Sequence, residues 1–268
     1  MPTKPARPSN DAPTRAAPPR PTADRIVSLH AGYEADGEFV DGYLARPLDG
    51  TPRPGIVLLS GMFGLTWKQR ELTRMYARSG FVALSPDFLG GQRPKGRAQG
   101  LRAKNSVDVL RSIGQLAAGA DFLRTLPWVG PDGGVGILGF CLGGGLALLA
   151  ISDTDRFDAG VIYHQSLFPD PRDLAAIDKP LICHYGTDDK STPREEVDAF
   201  TRELDAHGKR YELHWYEGMG HSFAQIAPDA DVPPAQRAAA DLSHERTFEF
   251  LHRELAQRHA SGTEAVAS

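Results

Sequence analysis

The sequence predicts an α/β fold built on a doubly wound, mostly parallel sheet with helices on both of its faces. Short apolar runs alternate with segments of helical periodicity over most of the 268 residues. These apolar runs are continuous, which is typical of strands covered on both faces. The chain is long enough to bury such a core in one domain. In this architecture, functional side chains gather at the carboxyl ends of the strands.

The elements are predicted in the following order along the chain. Two leading antiparallel strands are expected at residues 25–32 and 38–46, and buried strands at 56–60 and 135–138. Further strands are expected at 81–85, 160–163, 181–185 and 211–216. Helices are expected at 66–80, 107–117, 142–150, 192–208 and 234–255. Thr66 can cap the first helix, and Thr192 and Glu195 have the spacing of a capping box at the fourth.

One folded domain is expected over residues 25–255, with a loose segment at each end. Residues 1–24 contain seven of the 21 prolines. They offer too few apolar side chains to offset the entropy of ordering, so a disordered proline-rich tail is predicted. They also lack the apolar run of a secretory signal. Residues 256–268 are predicted to be a flexible C-terminal tail.

The composition excludes several classes of partner. The net charge is −4, with both signs interspersed, so no nucleic acid is expected to bind. No apolar run reaches the ~18 residues that cross a bilayer, so no membrane partner is expected. The two cysteines, Cys141 and Cys183, lack the spacing of a zinc site. Sparse cysteine favours a reducing compartment. We therefore expect a cytoplasmic monomer or small homo-oligomer without a metal.

The segment Gly139-Phe140-Cys141-Leu142-Gly143 lies where a predicted buried strand passes into a predicted helix. Such a turn strains its central residue, and small residues two positions before and after relieve the crowding. The amino end of a helix favours a thiolate, which is the reactive form of cysteine. The following amide can donate to an oxyanion. Cys141 is thus the candidate nucleophile, although a small buried hydrophobic residue is the alternative.

A cysteine nucleophile needs a base that is oriented by a third group. The strand at 181–185 runs into Asp188 and Asp189, and the strand at 211–216 runs into a glycine-rich loop with His221. Nucleophile, acid and histidine occur in this order on doubly wound hydrolytic folds. His221 is therefore the candidate base. Spacing alone leaves Asp188 and Asp189 as alternatives for the acid.

The other histidines are weaker candidates for the base. His184 lies inside a predicted strand, where a core position is expected. His207, near a helix end, and His244 and His252, in the last helix, are expected at the surface. His164 ends a strand and is a candidate pocket residue.

Taken together, these residues resemble the dienelactone hydrolase family of the α/β-hydrolases over residues 25–255. The resemblance rests on residues 62–64, 86–88, 139–144, 184–189 with Pro193, and 220–223. It implies an α/β-hydrolase fold and hydrolysis of a small ester or lactone without a metal or organic cofactor. It also implies that Asp189 is the acid, since it stands three residues after Gly186 and four before Pro193. The amide of Met62 is implied to join that of Leu142 in the oxyanion hole.

Three positions depart from the family pattern. Members that act on dienelactone carry a glutamate that interacts with the resting thiol and two arginines that hold the substrate carboxylate. This sequence has Gly61, Gly91 and Gln225 at those positions. Arg93 is a candidate replacement for the first arginine. Without a bidentate arginine clamp, strong selection for an anionic lactone is not expected.

Two further expectations concern the pocket and the resting thiol. Aromatic side chains are candidate pocket residues, although each could equally pack in the core: Phe63, Trp67, Phe140, Tyr163 and Phe223. Such a lining favours an uncharged or weakly polar substrate. Because position 61 has no carboxylate, Cys141 is expected to rest as a thiolate paired with protonated His221.

Two functions from other classes remain open. One is a non-catalytic ligand-binding protein that has kept the fold. The other is a redox-sensing thiol, since exposed cysteines of low pKa oxidise readily. Cys183, expected to be buried in its strand, is a poor resolving partner for such a sensor.

Overall fold

The computed structural model describes the backbone of residues 25–227 and 229–264, and side chains as far as residue 256. The strands are β1 (Ile26–Ala35), β2 (Glu38–Pro47), β3 (Gly55–Leu59), β4 (Val82–Pro86), β5 (Val135–Phe140), β6 (Ala159–Tyr163), β7 (Leu181–Gly186) and β8 (Tyr211–Tyr216). The helices are α1 (Trp67–Arg78), α2 (Arg97–Asn105), α3 (Val109–Thr125), α4 (Leu142–Asp153), α5 (Pro171–Ala176), α6 (Arg194–Ala206) and α7 (Pro234–Glu264). The predicted tail at residues 1–24 lies outside the described residues.

All eight strands form one sheet in the order β1-β2-β4-β3-β5-β6-β7-β8. The pair β1·β2 is antiparallel, as predicted, and the pair β2·β4 is also antiparallel. Every other neighbouring pair is parallel. The six strands from β3 to β8 therefore end at one edge, and this edge carries the residues that follow them. The fold is an α/β-hydrolase fold with helices on both faces.

Alternation along the central strands divides the core into two layers. On β3, Val57 and Leu59 belong to the layer beneath α3 and α4, whereas Ile56 and Leu58 belong to the layer beneath α1 and α7. All four side chains are fully buried. Successive side chains on such a strand point to opposite faces, and both faces are covered, so every position is apolar. The sequence of the strand is therefore a continuous apolar run.

The helix predictions were confirmed at α1 and corrected at α6. Thr66 caps α1, where its side chain accepts a hydrogen bond from the amide of Gln69. The predicted capping box of α6 is wrong, because Pro193 is the N-cap residue and supplies no side-chain hydrogen bond. The Thr192 hydroxyl instead donates to the backbone carbonyls of His164 and Gln165. Thr192 therefore ties the end of β6 to the loop after β7.

Other parts of the helix prediction also differ, and α3 runs to Thr125 and not to residue 117. The short helices α2 and α5 were not predicted. Helix α7 continues to Glu264, nine residues beyond the predicted end at Leu255, through the first part of the expected tail. Phe248, Leu251 and Leu255 are buried on one face of α7, as predicted. No helix in the described part of the chain combines the length and apolar character needed to span a bilayer.

Candidate active site

The edge where the parallel strands end brings together the residues singled out from the sequence. Cys141 follows β5, Asp189 lies three residues after β7, and His221 lies in the loop after β8. Gly61 and His164 follow β3 and β6 at the same edge. Residues up to 160 positions apart in the sequence (61 and 221) thus meet at one place because their strands are parallel.

The turn at Cys141 has the strained conformation that the glycine pattern predicted. Cys141 has φ 55° and ψ −113°, a region that residues with a side chain rarely adopt. A Cβ on Gly139 would lie 2.0 Å from the carbonyl oxygen of Gly143, and one on Gly143 would lie 2.5 Å from that of Ser60. Neither position can hold a larger residue without backbone movement. The turn therefore holds the sulfur at the amino end of α4.

The environment of Cys141 favours the thiolate on balance. Burial raises the pKa of the thiol, since only 9% of the residue is exposed. The hydrogen bond with His221, its charge and the amide of Leu142 act in the opposite direction and lower the pKa below its usual 9.0. In contrast, burial raises the pKa of Cys183 to about 12, and this thiol is fully buried in β7 as predicted.

His221 connects the sulfur to a buried carboxylate. Its Nδ1 lies 2.8 Å from Oδ2 of Asp189, and its side chain is 23% exposed. Burial lowers the pKa of the imidazole, but the hydrogen bonds with Asp189 and Cys141 outweigh it and raise the pKa to about 9. The arrangement can therefore hold a proton on the imidazole while the sulfur is ionised.

Asp189, and not Asp188, faces the histidine. The Asp189 side chain is fully buried, and its Oδ1 accepts hydrogen bonds from the amides of Ser191 and Thr192 at 2.8 and 3.1 Å. Burial raises the pKa of this carboxyl, yet the hydrogen bond and charge of His221 lower it overall. Asp188 is exposed at the surface. The geometry therefore separates two aspartates that spacing left as alternatives.

A cavity of about 240 Å³ opens above Cys141 and His221. Its lining comes from the loop after β3, from α2 and from the loops after β6, β7 and β8: Gly61, Met62, Phe63, Arg97, Leu101, Lys104, Ser166, Ser191, Ser222 and Gln225. Of the pocket candidates from the sequence, Phe63 lines it, next to Met62, whose amide was expected in the oxyanion hole. The Met62 side chain contacts α2 at Gly100. A Cβ on Gly100 would lie 2.9 Å from the sulfur of Met62.

The structure places the other aromatic pocket candidates away from this cavity. Phe140, Tyr163 and Phe223 are buried in the layer beneath α1 and α7. The Phe140 and Tyr163 rings stack on each other with centroids 4.6 Å apart. Trp67 is 59% exposed and lines a separate groove between α1 and α7. These four residues are core or surface residues, so the expectation of an aromatic pocket is corrected.

Arg93 does not replace the family's first arginine in this cavity. Its guanidinium forms two hydrogen bonds with the carboxylate of Asp87, at 3.1 and 2.7 Å. Asp87 also accepts a hydrogen bond from the amide of Gly91. Arg93 lines a different surface depression next to α2. It therefore stabilises the loop after β4.

Two cations from α2 line the cavity and were missed in the sequence. Arg97 lies at the first turn of α2, and Lys104 lies near its end. The ammonium of Lys104 donates to the carbonyl of Ser166 at 2.8 Å. The sequence of α2 lacks a clear apolar stripe, so no periodic signal marks it as a helix or places it above the nucleophile.

Two histidines occupy different positions from those expected. His164 is fully buried behind His221, with ring centroids 4.4 Å apart, and does not line the cavity. His244 is buried and not at the surface; its Nε2 lies 2.9 Å from the carbonyl oxygen of Ala224 and its Nδ1 lies 3.3 Å from the Tyr76 hydroxyl. Because a carbonyl only accepts, Nε2 carries the proton. His244 thus holds the loop that follows His221.

The model of the dienelactone hydrolase family matches residues 40–255. The chain belongs to the dienelactone hydrolase family. It is 32% identical over 226 residues to the carboxymethylenebutenolidase of Rhodococcus opacus, covering 80% of this chain and 86% of that protein. Identity to the carboxymethylenebutenolidase of Pseudomonas putida is 29% over 225 residues, covering 81% and 92%. The protein is therefore an enzyme, a dienelactone-hydrolase-like hydrolase of esters or lactones.

Solved structures agree with this family at the level of the fold. A dienelactone hydrolase-like promiscuous phosphotriesterase from metagenomic libraries superposes with a TM-score of 0.73 at 21% identity, covering 85% of this chain and 98% of that one. An esterase of Thermogutta terrifontis, phosphonylated by cyclosarin, gives a TM-score of 0.62 at 19% identity, covering 84% and 94%.

Proposed function

We propose that this enzyme hydrolyses a small ester or lactone through a thioester on Cys141, with His221 as the base and Asp189 as the group that orients it. The observation that carries the proposal is that Cys141 and His221 border one cavity and shift each other's pKa, while His221 Nδ1 lies 2.8 Å from the buried Asp189 carboxylate. This cavity is large enough for a small substrate.

In the acylation step, the thiolate of Cys141 attacks the carbonyl carbon, and the carbonyl π electrons move onto oxygen. The amides of Met62 and Leu142 are the proposed donors to this oxyanion, and one such donor is typically worth ~10²–10³ in rate. When the intermediate collapses, the bond to the alkoxide breaks and protonated His221 gives its proton to that oxygen. The products of this step are an alcohol, or the opened end of a lactone, and a thioester.

In the deacylation step, His221 must be neutral so that it can accept a proton from water. Two of the contributions that raise its pKa, the hydrogen bond and charge of Cys141, depend on the free sulfur. Acylation removes the thiolate charge, so the pKa of His221 falls towards its ordinary value and the imidazole becomes a competent base. Water then attacks the thioester, and the acid leaves as Cys141 regains its electron pair.

The cavity favours a substrate with an acidic group near the reacting carbonyl. Arg97 and Lys104 line it, and carboxylate side chains are absent from its described lining. The two cations thus take the role left open by Gly91 and Gln225, although they come from α2 and those two residues lie in loops. This proposal replaces the expectation of an uncharged substrate.

The reaction is tested by turnover of a panel of aryl esters and lactones. Cys141→Ala and His221→Ala should lose turnover, whereas Asp188→Asn should keep it because Asp188 faces solvent. A thioester should be detectable by mass spectrometry after a rapid acid quench. Retained esterase activity in Cys141→Ala would exclude the mechanism.

The role of Arg97 is tested by comparing a carboxylate-bearing ester with its neutral methyl ester analogue. Arg97→Gln should raise KM for the acidic substrate by ~3–10-fold. A buried hydrogen bond to a charged group would have a larger effect, but Arg97 is exposed, and solvent weakens its interaction with the substrate. KM for the neutral analogue should not change. Arg102→Gln, on the same helix but outside the cavity lining, is the matched control.

A further inference from the structure

His164 is a buried histidine that the proposed reaction does not use. It is fully buried at the end of β6 with φ 35°, and its ring lies against that of His221. Neither of its ring nitrogens has a hydrogen-bond partner among the described residues. A buried polar group without a partner costs ~1–3 kcal/mol. A residue held at this cost beside the candidate base calls for a physical explanation.

His164, Asp189 and His221 together offer two imidazoles and one carboxylate as ligands for a metal ion. One donor atom from each of His164, Asp189 and His221 lies within 4.8 Å of the other two. Two imidazoles and one carboxylate are ligands that Zn²⁺ accepts in tetrahedral sites, where bonds of ~2.0–2.2 Å place donors roughly 3.3 Å apart. The neutral form of an imidazole is the form that binds a metal, and both ring nitrogens of His164 lack a hydrogen-bond partner among the described residues.

The required movement is small. Asp189 and His221 are already 2.8 Å apart, so the main change is a closer approach to His164. His221 lies in a loop with Gly218 in the left-handed region before it and Ser222, at φ 64°, after it. The His221 side chain borders the cavity, and His164 and the Asp189 carboxylate are buried next to it.

We propose that His164, Asp189 and His221 form an inhibitory site for Zn²⁺. The ion takes the place of the proton on the His221 nitrogen that faces Asp189, and that proton leaves to solvent. A neutral nitrogen of His164, a carboxylate oxygen of Asp189 and water complete the coordination. Occupancy breaks the bond that orients His221, so the metal-bound enzyme cannot turn over. The loss of turnover rests on the proposed function, whereas the binding itself does not.

Binding is tested on the full chain with Cys141→Ser, which removes the sulfur as a competing ligand. Zn²⁺ titration by calorimetry should show one site. Adding His164→Phe, which keeps a ring in the same space, should weaken binding by at least ~10-fold, the loss typical of even an outer-shell partner. His207→Phe in the same background is the matched control, because His207 is exposed at the end of α6. It should leave the affinity unchanged.

A second measurement keeps the proposal testable if the His164 variant does not fold. In Cys141→Ser, Zn²⁺ should shift the histidine ring NMR signals of His164 and His221 together. Unshifted His164 signals, no binding at all, or equal affinity with and without His164 would each overturn the proposed site. Binding that requires Cys141 would place the metal on the Cys141–His221 pair and would also overturn it.

The inhibition is measured separately on the active enzyme. Zn²⁺ should abolish ester turnover in the wild-type protein, and a chelator should restore it. If calorimetry finds the site but no ester or lactone is turned over, the metal site stands and the proposed function fails. If turnover is normal but Zn²⁺ does not inhibit it, the inhibitory site fails and the proposed function stands.

Discussion

Gly61→Glu would place a carboxylate beside the nucleophile, where the dienelactone-active members of the family carry one. A Cβ on Gly61 would lie 3.5 Å from Cβ of Cys141 and 3.8 Å from Oε1 of Gln225, which are ordinary contacts. The backbone at Gly61 is not in the left-handed region, so a side chain adds no strain there. The Cβ of the new side chain therefore fits at this position, and the substitution adds a charge near the sulfur.

The size of the effect follows from Coulomb's law. A carboxylate ~5 Å from the sulfur, at an effective dielectric constant of ~20, disfavours the thiolate by about 3 kcal/mol. That energy corresponds to ~2 pKa units. Solvent and salt in the open cavity reduce it to ~1–2 units. The sign is upward, because the new negative charge opposes ionisation of Cys141 and competes for the charge of His221.

The assay is the rate of alkylation by iodoacetamide as a function of pH. Wild-type Cys141 should react well below its usual pKa of 9.0, because its pKa is lowered by His221. Gly61→Glu should react ~10–100-fold more slowly near pH 7 and approach the wild-type rate at high pH. Gly61→Gln, which has the same shape without the charge, should behave like the wild type. Equal pH profiles for the glutamate and glutamine variants would refute the electrostatic reasoning.

Three other predictions follow from the same geometry. Asp189→Asn should lower kcat by ~10³–10⁴ with little change in KM, because the imidazole of His221 loses its orienting acceptor; wild-type kcat would contradict this. Gly139→Ala should lower the free energy of unfolding by ~3 kcal/mol or more, since its Cβ would overlap the carbonyl of Gly143; denaturant unfolding measures it. Mass spectrometry of native protein alkylated at neutral pH should find one labelled cysteine, because Cys183 is buried; labelling of both would show that β7 opens.

The strands and the three candidate catalytic residues could be predicted because their signals are local. A fully covered strand is a continuous apolar run, and the turn at Cys141 requires glycine on both sides whatever surrounds it. Asp189 and His221 each follow a strand within five residues (186 to 189 and 216 to 221). Parallel pairing then brings these ends together, so the sequence needs only the order of the strands to imply one site.

The cavity lining could not be predicted because it depends on packing between distant segments. Phe140 and Tyr163 look like pocket residues by their position at strand ends. The alternation along their strands turns both side chains into the core beneath α1 and α7. Arg97 and Lys104 reach the cavity because α2 packs on Met62 through Gly100. The sequence of α2 has no apolar periodicity that would predict this contact.

In the resting enzyme the proton lies on His221 and not on Cys141. This arrangement allows a reactive thiolate without a strong pH dependence of the free energy of unfolding. The pKa of His221 is raised from 6.5 to about 9, so its contribution to stability is complete below pH 6.5 and is lost as the pH rises through about 9. The pKa of Cys141 is lowered from 9.0, so its contribution is present above pH 9.0 and is lost as the pH falls through the lowered value. Between these limits, the folded pair and the unfolded pair bind the same number of protons. The two slopes therefore oppose each other. His221→Gln removes both, because the hydrogen bond and charge of His221 are the main contributions that lower the pKa of Cys141. Burial is then the largest contribution left at the thiol, so the free energy of unfolding of this variant should not rise with pH as Cys141 ionises.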